Sequence, residues 1–118
     1  MTFLEYLSDH GDSRALFEQL RHLVLGLDDV IEVESKSQVA FRRRRTFAMA
    51  WAPGQYLGER GAPLVLSVAL PGRDPDPRWK EVVEPSVGVF MHHLELRSAD
   101  DIDEQVEAWI ERAYTAAT

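Results

Sequence analysis

QVAFRRRRTFAMAW, residues 38–51, is the stretch that decides the fold. Val39 and Phe41 alternate with Ala40 and Arg42, and Phe47, Met49 and Trp51 alternate with Ala48 and Ala50. Both halves therefore carry the two-residue period of a strand, not the 3.6-residue period of a helix. Arg42, Arg43, Arg44 and Arg45 stand between the two halves. Four like charges cannot be buried unpaired, so the run marks an exposed hairpin end or edge and a candidate anion-facing surface. The link is too short for a crossover helix, so the two strands must be antiparallel.

Reading outward, Ile31 and Val33 alternate with Glu32 and Glu34 and add a strand before the hairpin. Residues 64–70 and residues 89–96 supply a fourth and a fifth. Between them lie two loops punctuated by Pro and Gly, residues 53–63 and residues 71–88, the second with a helical turn around residues 79–83. At the amino end, Asp12 or Ser13 caps a helix to about Leu25, with Leu16, Phe17, Leu20, Val24 and Leu27 at helical spacing and Gly26 in a left-handed turn. Phe3, Leu4 and Leu7 suit one or two extra helical turns closing near Gly11. At the carboxyl end, Ser98 and Asp101 approximate a capping box, and Ile102, Val106, Trp109, Ile110 and Ala113 form one apolar stripe.

These elements predict an α+β fold: a single five-stranded antiparallel sheet with the N- and C-terminal helices packed on one face, in the order α-β-β-β-β-β-α. The 118 residues suffice for one core, so the chain reads as a single domain, residues 1–118, with a helical extension at 1–11 and a core at 12–116. The alternation predicts a helix-covered face bearing Ile31, Val33, Val39, Phe41, Phe47, Met49, Leu64, Leu66, Val68, Phe90, Leu94 and Leu96. The open face then bears Glu32, Glu34, Ala40, Arg42, Thr46, Ala48, Ala50, Ser67, Ala69, Met91, His93 and Glu95. That second face is either an ordinary wet surface or a shallow docking surface or homodimer interface, since small side chains let another backbone approach.

Charge is segregated along the chain. Residues 1–34 carry eight acids against Arg14 and Arg21, residues 98–118 carry six against Arg112, and residues 35–97 carry ten Lys or Arg against six acids. With acidic ends and a basic middle, the total is −7. Such a balance disfavours avid binding to duplex DNA. Arg60, Arg73, Arg78 and Lys80 lie in the long loops and would extend the arginine patch towards a phosphate-bearing ligand or an acidic protein.

Other chemistry finds little footing. The sequence has no Cys, and no nucleophile elbow, phosphate-cradling glycine loop or His-Glu-x-x-His. No cofactor is implied, and a noncatalytic binding module is the favoured reading over a small enzyme with an unrecognised pocket. His92 and His93 are neighbours on a strand and point to opposite faces, which opposes joint chelation; His92 falls on the core face and His93 on the open face, where it joins the arginines as a candidate binding residue. Asp28, Asp29, Glu32 and Glu34 form an acidic ridge that would hold a hard cation weakly, the rival reading. No stretch has the length and apolarity of a membrane span and the first residues lack a basic start, so the expected setting is the cytoplasm.

The segments AFRRRRTFAMAW, RWKEVVEPSVGVFMHHLELRS and DIDEQVEAWIERAY, at residues 40–51, 78–98 and 101–114, together resemble a bacterial family known only as domain of unknown function 5655. The likeness spans about residues 13–115. It implies kinship with the C-terminal part of predicted transport proteins and supplies no catalytic residue. In layout alone, helix, antiparallel sheet and helix also resemble the frataxin-type arrangement and small double-wing domains, which carries the fold and no function.

Overall fold

The computed structural model of the chain describes residues 1–58 and 60–117. Four α-helices occur among them, α1 (Phe3–Ser8), α2 (Gly11–Leu25), α3 (Gly54–Leu57) and α4 (Glu104–Ala116), with a 3-10 turn at Ala99–Asp101. Six strands, β1 (Ile31–Glu34), β2 (Val39–Arg42), β3 (Thr46–Trp51), β4 (Leu64–Leu70), β5 (Glu81–Ser86) and β6 (Val89–Leu96), form one antiparallel sheet in the order β1-β2-β3-β4-β6-β5. The α+β class, the single antiparallel sheet and the helices at both ends agree with the sequence. The strand count does not: β5 occupies residues read as loop and helical turn, so the sheet has six strands, not five. β5 is an edge strand, where Pro85 costs no ladder bond to a further neighbour, and its pairing with β6 shifts register between Val83 and Ser86. Gly88, at φ 79, lets the chain turn from β5 straight into β6.

Two more expectations at the helix starts and stops are corrected. Neither Asp12 nor Ser13 caps α2, which begins at Gly11 with His10 in the cap position and no side-chain cap. Gly26 is right-handed, at φ −72, and the left-handed residue of that turn is Asp29, at φ 60. Ser98 and Asp101 do form their capping box, but on the 3-10 turn. Asp103 then caps α4, accepting from the Val106 N–H at 3.0 Å.

Both terminal helices pack on one face of the sheet. Phe3, Phe17, Leu20, Phe41, Leu64, Leu66, Leu96, Trp109 and Ile110 are sealed in one core. Phe3 meets Phe17 edge to face at 5.5 Å, which ties α1 to α2.

The assignment of residues to faces is only half as predicted. Val39, Phe41, Phe47, Leu64, Leu66, Val68, Phe90, Leu94 and Leu96 face the helices. In β3 the alternation breaks: Phe41 pairs with Ala48 while Arg42 pairs with Thr46, which leaves Phe47 as the extra residue of a β-bulge. Phe47 and Ala48 are therefore both buried, Ala50 follows inward, and Met49 turns to the open face. Small Ala48 and Ala50 let α4 lie close over β3. In β1 the whole pattern is inverted. Glu32 is opposite Phe41 and Glu34 opposite Val39, so both acids lie on the helix side, while Ile31 and Val33 point outward at 60% and 44% exposure. Arg21 of α2 reaches over the edge and donates to Glu32 at 2.7 Å, a contact that holds this register.

Candidate functional site

The open sheet face collects Ile31, Val33, Ala40, Arg42, Met49, Trp51, Val65, Ser67, Ala69, Met91, His93 and Glu95 through the register of five strands. β5 adds Glu81 opposite His93 and Val83 opposite Met91. Among the described residues, no helix crosses this face. It divides into an apolar flank on β1 to β3 and a polar strip on β4 to β6.

The polar strip is tied within itself. The Trp51 indole N–H donates to Ser67 Oγ at 3.3 Å, and Ser67 Oγ lies 2.7 Å from His93 Nδ1. The Ser67 hydroxyl is thus bonded to Trp51 on one side and to His93 Nδ1 on the other, and it joins the three side chains into one strip. Burial pushes the His93 imidazole below its ordinary pKa; Glu81 opposes this and His92 adds to it. Ser67 is wholly buried, so its pairing with His93 gives no open nucleophile. Beside it, Glu95 receives Lys80 at 3.2 Å and Arg97 at 3.5 Å.

The arginine run is split by the structure. Arg43 stacks over the Tyr114 ring at 4.1 Å and donates to the Tyr114 carbonyl at 3.4 Å. Arg45 donates to the Ala116 carbonyl at 2.6 Å. These two satisfy the last carbonyls of α4, a helix with no basic residue in its own last turn. Tyr114 completes the clamp by donating its hydroxyl to the Asp28 carbonyl at 2.7 Å and meeting Phe47 edge to face. Arg42 and Arg44 are exposed, and among the described residues neither side chain has a hydrogen bond or ion pair.

Two loop cations named as extensions of the patch are likewise engaged in structure. Arg73 donates to the Val82 carbonyl at 3.3 Å. Arg78 holds both carboxylate oxygens of Asp103, at 3.2 and 3.0 Å, and donates to the Asp101 carbonyl at 3.0 Å.

The loop that carries them is organised by Asp74, which sequence reasoning missed. Its Oδ1 accepts from the Asp76 N–H at 3.0 Å and the Trp79 indole at 3.2 Å, its Oδ2 accepts from Arg112 at 3.1 Å, and its own N–H donates to His92 Nε2 at 3.0 Å. Burial alone would raise this carboxyl, but the donors Asp76, Trp79, Arg112 and Trp109 outweigh it and hold the pKa below the ordinary value. The signal was present: in DPDP each Asp turns back on the residue two ahead, Asp74 on Asp76 and Asp76 on Arg78. His92, on the core face as expected, gives its Nδ1 proton to the Phe90 carbonyl at 2.9 Å, and both its ring nitrogens are thus engaged.

Among the described residues, no group of three or more His, Asp or Glu gathers closely enough to hold a metal ion. The acidic ridge is divided by the sheet edge, with Glu32 drawn to Arg21. Among the described residues, no helix is long and apolar enough to cross a membrane.

The profile of one family, described as a domain of unknown function (DUF5655), matches residues 5–117. The chain belongs to that family. The match covers every strand of the sheet and all but the first two residues of α1, so the open face and the arginine hairpin both lie inside the DUF5655 domain. Comparison with curated proteins and with solved structures returns no match.

Proposed function

We propose that this DUF5655 chain is a noncatalytic binding module whose contact surface is the open sheet face, where Arg42 and Arg44 meet an acidic or phosphate-bearing partner. One observation carries the reading: Ile31, Val33 and Arg42 stand uncovered side by side, with Ile31 directly opposite Arg42. Apolar side chains left in water beside an unpaired guanidinium match the anatomy of a recognition patch, in which apolar area gives affinity and the cation gives orientation. The polar strip of Trp51, Ser67 and His93 supplies a rigid floor beside the patch. The cytoplasm is taken as the setting in the same reading.

The test uses fluorescence anisotropy with a labelled single-stranded oligonucleotide and, separately, a poly-glutamate peptide. With two free arginines on phosphates, the logarithm of the binding constant falls against the logarithm of salt with a slope of about −1.4. Arg42→Glu combined with Arg44→Glu is expected to abolish the interaction, because it turns both contacts repulsive. Equal binding by the double variant would eliminate the reading. Loss of the peptide signal alone, or of the oligonucleotide signal alone, names the partner class.

A further inference from the structure

A second polar site lies on the far side of the molecule from the arginine hairpin's free charges. His10 leaves the start of α2 without a side-chain cap, so the first-turn N–H groups of Gly11, Asp12 and Ser13 in this 15-residue helix have no side-chain acceptor among the described residues. These residues border a pocket of about 320 Å³. A helix start alone would signify little. Here two hydroxyls join it: Ser13 and Tyr6 are only 5% and 7% exposed, both line the pocket, and neither hydroxyl has a hydrogen-bond partner among the described residues. The two side chains are enclosed as a whole while their hydroxyl oxygens keep access to solvent, so both oxygens are open to a ligand in the pocket.

The surrounding residues hold these groups in place. The His10 ring stacks on Tyr6 at 3.8 Å and donates from Nδ1 to the Tyr6 carbonyl at 2.7 Å, which fixes Tyr6 in the wall. Across the pocket, any Cβ on Gly54 would collide with the Tyr6 hydroxyl, so the glycine leaves room for that oxygen. Arg60 lines the same pocket, is exposed, and has no carboxylate partner among the described residues.

We propose that this pocket binds a phosphate group, held by the N–H groups of Gly11, Asp12 and Ser13, the hydroxyls of Tyr6 and Ser13, and the Arg60 guanidinium. Donors arriving from the helix start, the pocket wall and the opposite loop suit a tetrahedral oxyanion better than a planar carboxylate, which presents its lone pairs in one plane. The Asp12 carboxylate at the rim opposes a dianion and keeps the affinity modest. The proposal is independent of the sheet-face reading, since none of these residues belongs to that face.

Amide NMR at constant ionic strength tests it, with inorganic phosphate in one titration and glycerol 3-phosphate in another. Saturable shifts are expected at Gly11, Asp12 and Ser13. Arg60→Gln should weaken binding about tenfold, the scale of a lost charge-assisted contact. Ser13→Ala should weaken it several-fold, while Arg42→Glu with Arg44→Glu leaves it unchanged. Arg60 is exposed and has no partner among the described residues, and alanine favours a helix, so both pocket variants fold. Tighter binding of the ester or of the free ion identifies the source of the phosphate. Shifts that rise without saturating, equal shifts from chloride, or undiminished affinity in Arg60→Gln overturn the proposal.

Discussion

His93 stands on the open face as its alternation required, yet its chemistry is set by neighbours from three other strands. Ser67, itself bonded to Trp51, holds the Nδ1 edge of the ring, and burial holds its pKa below the ordinary 6.5. The unfolded chain takes up a proton on this ring at about pH 6.5, whereas the folded chain resists until lower pH. The stability contributed is therefore full above that value and is lost as the pH falls through the folded value. Urea midpoints measured from about pH 7.5 down to about 5.5 should decline, and His93→Gln should flatten the decline. An unchanged slope in the variant would show that this ring is not the group titrating. The four arginines teach the same lesson. Their charge guaranteed exposure of the hairpin, but not that Arg43 and Arg45 would be drawn to the α4 carbonyls while Arg42 and Arg44 stayed free.

For α4 that division is consequential. The helix begins with an Asp103 cap and acidic residues at the positive end of its dipole, and it ends with no cation of its own. The β2–β3 hairpin supplies the missing charge from another part of the chain, with Arg43 also lying over Tyr114. Arg43→Ala is expected to cost about 1 kcal/mol in urea denaturation, Arg45→Ala less, and Arg44→Ala nothing measurable. Equal effects from all three would mean that general charge, not capping, links the hairpin to the helix. The strands show why some elements were legible and others were not. β4 and β6 carry long strand periodicity and occupy the residues read for them, 64–70 and 89–96. β5 is short, irregular and interrupted by Pro85, features that look like loop until a neighbour accepts its backbone.

At the scale of the whole molecule, the sheet has one covered side and one open side, and the open side bears aliphatic groups that no part of the described chain covers. If these serve a contact and not the core, Val33→Lys should leave stability within about 0.5 kcal/mol and remove binding at this face. Sedimentation velocity over a concentration series then distinguishes self-association from a different partner. A mass that rises with concentration in the parent protein and stays constant in the variant identifies a second copy of the chain as the occupant. A large loss of folding stability would instead place Val33 in the core and sink the idea. The amino-acid order by itself determined the α+β class, the antiparallel hairpin, the two amphipathic helices and their shared side of the sheet, because these follow from the period of apolar residues over short distances. Only tertiary structure decided the faces of β1 and β3, the sixth strand, the Asp74 hub and the fate of each arginine. A bulge or a one-residue register choice reverses a face at almost no local cost, and which of two equal charges finds a helix end depends on residues some seventy positions away.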